Sequence, residues 1–421
     1  MRRFHLLCSA ILLLASSSVF AETTFKLQTV RVIGSQRFRE DELVAALGLR
    51  PGNEVNLDAL KKAADRLMET GALAKLEYKY TSLSSGVSVE YQVSDAPDFL
   101  PCRYENIVWM GSQELTHEVH DIVPLFNGEA PTSGTLVDQV AEAISAVLGR
   151  HGVTTKVRYE LHSRGIGSPV DAILFVSDTV KPKVQEVILS GANLLTPGEK
   201  MENTKRLVGD DYLATRVRES LANELGFLYG NRGYLRLQVG EPQPVFVDNP
   251  QTGLLRVTVP VNEGAQYRVK SIAWSGAAAT PAGTLDKLLQ LHQGEIADQS
   301  KLDLSLAAVL KSYRSVGYMT AKVQPVANFT DNDHSVAYDL KVTEGDLFHM
   351  GNLSMQGLDP SVLQKLQKNW KLTRGDVYNG EYVQSFVKQN AALINGNGRP
   401  KSVKIQQIAQ PEKVIDVTID F

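Results

Sequence analysis

Residues 272–276, Ile272-Ala273-Trp274-Ser275-Gly276, decide how this chain is read: two apolar side chains one residue apart, then glycine. Side chains at that spacing share one face of a strand, and a glycine directly after them marks a turn that needs a permissive backbone. The same spacing recurs at Val30, Val32 and Gly34, at Ile107, Trp109 and Gly111, at Val187, Leu189 and Gly191, and at Leu353, Met355 and Gly357. A strand-to-glycine step therefore returns about every 80 residues, and self-similarity at a fixed period marks tandem modules.

Each of these glycines is followed by a second (Gly52, Gly128, Gly209, Gly294, Gly375) and a third (Gly71, Gly152, Gly233, Gly317, Gly398). A short helix fits between the first and second. Thr196-Pro197, Thr280-Pro281 and Asp359-Pro360 have the form of helix starts, an oxygen-bearing cap followed by a residue with no N–H to lose. Between the second and third glycines the apolar period becomes helical: Leu57, Leu60, Ala64, Leu67; Val140, Ile144, Val147; Leu213, Val217, Leu221, Leu225; and Val383, Phe386, Val387, Ile394. The third glycine stands where a helix ends in a left-handed residue. Two alternating runs follow, Leu76, Tyr78, Tyr80 then Val87, Val89, Tyr91 in the first repeat, and Val403, Ile405 then residues 414–421 in the last. The unit reads as strand, helix, helix, strand, strand, an α+β module with two helices on one face of a three-stranded sheet.

Met1-Arg2-Arg3, the apolar stretch from Phe4 to Ala15 and Val19-Phe20-Ala21 read as a secretory signal peptide cleaved after Ala21. The apolar run is shorter than the roughly 20 residues that cross a bilayer as a helix, and no later segment is long enough. Cys8 begins that run rather than following it, so it does not mark a lipidation site. Cys102 is then the one cysteine of the mature chain, which excludes an internal disulfide and leaves packing to provide stability. The formal charge of −3 grows more negative once Arg2 and Arg3 leave, which argues against electrostatic binding to nucleic acid or anionic lipid.

The chain offers little for catalysis, and no catalytic, cofactor-binding or metal-binding residue is assigned. His117-Glu118-Val119-His120 lacks the spacing of a zinc helix and a third ligand. Asp331-Asn332-Asp333 starts like a calcium loop but lacks the later glycine and glutamate, so it reads as a hairpin turn. Gly396-Asn397-Gly398 reads as a helix-to-strand turn rather than a phosphate loop. No serine stands in a nucleophile elbow. Trp109 and Trp274 take matching strand positions, which favours packing over ligand stacking.

The order and length of the unit resemble the POTRA, or polypeptide-transport-associated, domain. Val261-Asn262-Glu263-Gly264-Ala265-Gln266-Tyr267-Arg268-Val269 and Val342-Thr343-Glu344-Gly345-Asp346-Leu347-Phe348-His349-Met350 are similar to that family's join between consecutive modules. The resemblance implies five modules, at 22–95, 96–179, 180–264, 265–345 and 346–421, forming an extended curved rod. It is weakest in the second, around Arg164 to Ser168. Five modules behind a signal peptide resemble the periplasmic region of BamA-type outer-membrane assembly factors, in which a β-barrel follows. Here Ile415, Val417, Ile419 and Phe421 read instead as the last strand of the fifth module.

The open edge of such a sheet can accept an extended peptide as an added strand. The resemblance implies that the second strand of a module does so. Leu235, Arg236, Leu237, Gln238 and Val239, with apolar and polar residues alternating, are the expected client-binding edge. Lys75, Glu77 and Lys79 in the first repeat read instead as protection against aggregation. The expected function is a non-enzymatic periplasmic scaffold that binds unfolded or partly folded outer-membrane proteins, or docks on assembly components at the outer membrane. Two other roles share these features, the soluble part of a translocase whose barrel is supplied elsewhere, and an interaction protein of the envelope or of cell division.

Overall fold

Five β-sheets succeed one another along the chain in a computed structural model that describes residues 24–165, 167–396 and 402–421. The signal-peptide reading of residues 1–21 and the turn at Asn397 and Gly398 lie outside the described residues. The first sheet region comprises β1 (Phe25–Ile33), α1 (Glu40–Leu47), β2 (Glu54–Val55), α2 (Leu57–Glu69), β3 (Leu73–Leu83) and β4 (Gly86–Asp95). The second has β5 (Phe99–Tyr104), α3 (Ser112–His120), β6 (Glu129–Pro131), α4 (Leu136–Arg150), β7 (Val157–Ser163) and β8 (Val170–Ser177). The third has β9 (Lys183–Ser190), α5 (Pro197–Thr204), α6 (Ala214–Gly230), β10 (Gln238–Val239), β11 (Gln243–Phe246) and β12 (Leu254–Asn262). The fourth has β13 (Arg268–Ser275), α7 (Ala282–Asp286), α8 (Gln299–Ser315), β14 (Lys322–Thr330) and β15 (Ser335–Thr343). The fifth has β16 (His349–Gln356), α9 (Pro360–Asn369), α10 (Tyr382–Gln389), α11 (Ala391–Asn395), β17 (Lys404–Ala409) and β18 (Val414–Asp420).

In each sheet the last strand is central. β15 runs parallel to β13 and antiparallel to β14, and β18 stands in the same relation to β16 and β17, as β4 does to β1 and β3. A parallel pair needs a crossover, which the two helices supply. The central strands bury alternate residues: Val87, Val89, Tyr91 and Val93; Leu255, Val257, Val259 and Val261; Val336, Tyr338, Leu340 and Val342; Ile415, Val417 and Ile419. The helix stripes meet them through Leu60, Ala64 and Leu67, Val217, Leu221 and Leu225, and Val383, Phe386 and Ile394. Leu57, expected on the first of these stripes, is 47% exposed because it opens α2.

The glycine after the first strand is fixed by contact. At Gly276 a Cβ would overlap the carbonyl oxygen of Val342 on the parallel partner, and at Gly34 that of Val93. The second glycine acts differently. Gly294 N donates to Val269 O at 2.8 Å, and Gly52 N to Leu27 O at 2.7 Å, folding the segment between the helices back along the first strand. In the first two sheets this fold-back is long enough to form β2 and β6, so those sheets have four strands, not the expected three. The later sheets keep only single bridges there, Arg268 with Ile296 and His349 with Val377.

Three further expectations need correction. In the second region the first strand is β5, upstream of Ile107, and Gly111 is the N-cap of α3 at φ −66°. Trp109 therefore lies outside any strand while Trp274 sits in β13, and the two are not equivalent. A side-chain bridge explains the departure: buried Asn106 donates to Ser177 O and accepts from Ser177 N, which does the work of strand pairing at that point. Thr196 and Asp359 cap α5 and α9, but in the fourth region the cap position is Pro281 itself. Cys102 is half-buried in β5, and burial, with Glu129 nearby, pushes its thiol up to about 12, which suppresses the reactive thiolate.

Contacts gather the described residues into two compact units. One holds the residues up to Gln185 with Gly209–Thr215 and Pro244–Arg256, and the other holds Glu186–Val208, Arg216–Gln243 and Val257–Phe421. In the first unit a continuous apolar core runs from Leu27 to Phe175. Thr135 N reaches Glu69 O at 2.8 Å there, and Gly134 meets Gly71 with no room for a Cβ on either. In the second unit Tyr267 N donates to Gly233 O and Phe348 N to Gly317 O, so each helix-ending glycine binds the entry to the next sheet.

The two glycine classes give separable outcomes. Gly276→Ala should weaken hydrogen-exchange protection across β13 and β15 by about 3 kcal/mol, combining left-handed strain with overlap. Gly294→Ala, with nothing within 4 Å of its Cβ, should cost only about 1 kcal/mol by the same measurement.

Candidate functional site

The chain leaves α6 through Asn231 and Arg232 and turns at Gly233, whose φ of 82° is left-handed. Tyr234 N bonds back to Tyr229 O at 3.0 Å, closing the helix end. The next five residues are the expected edge, and the structure divides them. Only Gln238 and Val239 form a strand, β10, paired with Asn262 and Val261 of β12. Leu235 packs on the core that contains Tyr267. Arg236 binds Asp331 at 2.8 Å and lies 4.6 Å from the Phe329 ring centre. Tyr267 also donates to Asp331, at 2.8 Å, and this carboxylate sits in the expected hairpin turn between β14 and β15. The expected strand is thus shortened by the pull of the fourth region on Leu235 and Arg236.

The alternation read from sequence nevertheless has a structural counterpart. Leu235, Leu237 and Val239 line a groove of about 180 Å³ whose opposite wall is Ala222, Gly226 and Gly230 of α6, with Gln299 at one side. Residues four apart share one helix face, so these three form a strip almost without side chains. Among the described residues no other second helix carries two glycines. Gly230 is close to Gln299, 3.3 Å from where its Cβ would lie. Gly226 has helical backbone angles and nothing within 4 Å of a Cβ, so neither strain nor packing requires glycine there. A glycine inside a helix costs about 1 kcal/mol relative to alanine, and an uncompensated one points to a use outside the fold. Sequence reasoning missed this wall, although Gly226 and Gly230 are visible as interruptions of the helical stripe.

The C-terminal end of β12 is fastened beside the groove. Glu263 accepts from Tyr229 Oη at 2.6 Å and from Leu194 N at 2.8 Å, tying the strand to α6 and to the loop after Gly191. Glu344 repeats this device with Tyr313 Oη at 3.1 Å and with Ala278 N and Ala279 N at 2.8 and 2.7 Å. Burial, then the bond to Glu344, pushes Tyr313 up to about 12, so the hydroxyl keeps its proton across physiological pH. Beyond β10, Glu241 pairs with Arg218 of α6, and Pro242 and Pro244 remove two backbone donors from the approach to β11. Backbone donors on this edge are therefore concentrated before residue 242.

Among the described residues no group of three or more His, Cys, Asp or Glu could hold a metal ion. His120 Nδ1 is engaged with Phe126 O, and Glu118 with Arg150 and His151. No described helix is long and apolar enough to cross a membrane. Gly226→Ala should raise stability by about 1 kcal/mol, read as a shift in the denaturant midpoint at constant slope. Unchanged or lowered stability would show that the fold itself needs this glycine.

The POTRA family model, described as surface antigen variable number repeat, matches residues 267–345. A curated protein of Treponema pallidum (strain Nichols), described as a candidate outer membrane protein assembly factor, is 23% identical over 212 residues. The match takes in 47% of this chain but only 24% of that protein, so the chain spans well under half of its relative. The crystal structure of POTRA3–5 of Haemophilus influenzae BamA is 21% identical, with 57% of this chain and 95% of that one covered and a TM-score of 0.41. The N-terminal domain of Omp85 from Thermosynechococcus elongatus is 14% identical, covering 76% and 99%, with a TM-score of 0.20. Residues 267–345 match the POTRA family model, and the chain is similar to a curated protein described as a candidate outer-membrane protein assembly factor.

Proposed function

We propose that the chain is a periplasmic scaffold of outer-membrane protein assembly, and that it holds unfolded or partly folded outer-membrane proteins by pairing them with the third-module edge at Leu235 to Val239. The observation that carries this reading is the unexplained opening at Gly226. It leaves Leu237 and Val239 half-buried, facing a strip of α6 almost without side chains. An added strand would bond through its backbone to the Gln238-Val239 segment and place alternate side chains against Leu237, Val239 and the bare strip of α6. Backbone pairing is tolerant of sequence, as a carrier of many clients requires. The match to a curated relative described as a candidate assembly factor supports the cellular setting.

Exposed apolar residues on the other edge strands support further, weaker contacts: Tyr80 and Leu83 on β3, Tyr159 and Leu161 on β7, Val326 on β14 and Ile408 on β17. Several weak sites on one chain raise avidity without any tight one. The pair of Lys75 with Glu77 on β3, Lys79 of β3 held by Glu90 of β4, and Pro325 in β14 reduce indiscriminate sticking at those edges.

Photoreactive residues placed at Leu237 and Val239 in cells should trap β-barrel precursors, and Gly226→Leu should abolish the trapping while thermal stability is retained. Capture of partners only from other surfaces, or trapping indifferent to Gly226→Leu, would refute the edge as the docking site. Trapped division or wall-synthesis proteins in place of barrels would refute the assembly role.

A further inference from the structure

Residues 360–411 hold eight lysines and arginines and only two acids, in a chain whose formal charge is −3. Both acids are committed. Glu381 faces Lys311 Nζ at 3.6 Å, and Asp376 accepts from Thr373 N and Thr373 Oγ1, each at 2.7 Å, which holds its carboxyl below the usual range. Lys365 and Lys368 on α9, and Lys371 and Arg374 on the turn after it, are all exposed, and none forms an ion pair among the described residues. In the other four regions the first helix carries an acid, Glu40 in α1, Glu114 in α3, Glu199 in α5 and Asp286 in α7, whereas α9 carries none. Lys368 lies in the last turn of α9 and complements the helix dipole there. Lys365, Lys371 and Arg374 have no such service to the fold, and lysines three apart on a helix repel each other.

The cations are held on a pinned support. Trp370 Nε1 donates to Leu372 O at 2.7 Å, its ring centre lies 4.9 Å from those of Tyr382 and Phe386, and Lys371 N donates to Tyr382 Oη at 2.7 Å. Asn369 Nδ2 donates to Asn390 Oδ1 at 2.7 Å, which brings the last turn of α10, with exposed Lys388, to the end of α9. No large apolar side chain between residues 357 and 376 is among the exposed ones. A protein interface closes around an apolar, desolvated core with its charges at the rim, and this face has no such core. An anionic lipid surface needs none. Its phosphates form a continuous field that meets point charges on flexible stems without fixed geometry, and three of the four cations are lysines. The net negative charge that argued against anionic lipid is carried outside this stretch. We propose that the face formed by α9 and the turn after it docks on the headgroup phosphates of an anionic membrane, through charge alone and with no side chain inserted among the acyl chains.

The test is sedimentation of the full chain with lipid vesicles. Phosphatidylcholine vesicles containing about one-third phosphatidylglycerol should bind about a hundredfold more strongly than phosphatidylcholine alone, since each cation at such a surface contributes about fivefold, and the difference should fade as salt is raised. Lys365→Gln, Lys368→Gln, Lys371→Gln and Arg374→Gln combined should bring binding down to the phosphatidylcholine level with the thermal midpoint unchanged. The same change at Lys26, Lys61, Lys287 and Lys322, exposed cations of other regions, should leave most of the binding in place. Gly226→Leu, which closes the groove beside α6, should leave it unaltered. Equal binding to the two vesicles, binding that survives the four substitutions, or equal loss from the second set overturns the membrane face. If polyglutamate rather than the vesicles is held through the four residues, the face takes an acidic protein and the lipid assignment falls.

Discussion

Each sheet among the described residues is closed by its last strand lying between the first two, and in four of the five the contact that registers it is made by a missing side chain. At Gly34, Gly191, Gly276 and Gly357 the first strand turns away so close to the backbone of the last that a methyl group would strike a carbonyl oxygen. The carboxylates of Glu263 and Glu344 then fasten the end of the last strand to the loop after the first strand and to a tyrosine of the second helix. In the first sheet Asp95 does a related job, accepting from Ser35 Oγ and from Gln36 N and Arg37 N. Helix packing and edge exposure both follow from the placement of that strand. With its two sides occupied by the first and second strands, the second is left at the rim.

The repeat was legible because its glycines serve the backbone, and backbone demands recur wherever the fold recurs. Side-chain solutions do not recur in this way. Asn106 bridges Ser177 where other modules pair strands, and Glu105, almost fully buried, accepts from Thr215 N at the start of α6. Neither contact leaves a period in the sequence, which is why Ile107, Trp109 and Gly111 matched the pattern without taking up its structure. The fourth strand escaped notice for a different reason: two or three residues at Glu54–Val55 and Glu129–Pro131 are too short for alternation to register.

At the edge proposed for docking, the sequence revealed side-chain alternation but not strand length. Leu235, Leu237 and Val239 do share one side, as their spacing implies, yet the hydrogen-bonded strand begins only at Gln238. Arg236 could not be assigned from its own neighbourhood, because its closest partners, Asp331 and the ring of Phe329, come from more than ninety residues further on. The bare strip on α6 was readable in principle. A glycine at 226 inside a strong helical stripe breaks local propensity, and such breaks collect where a fold is put to use.

The central position of the last strand also sets the order in which the protein can form. A module emerging from N- to C-terminus during synthesis has its first strand, both helices and its rim strand exposed before the strand that joins them appears. Until then it has no parallel partner and no lasting sheet. Each module is consequently committed to long-range closure only after roughly 80 residues have emerged, and an interruption anywhere inside it forfeits that module and spares those already complete.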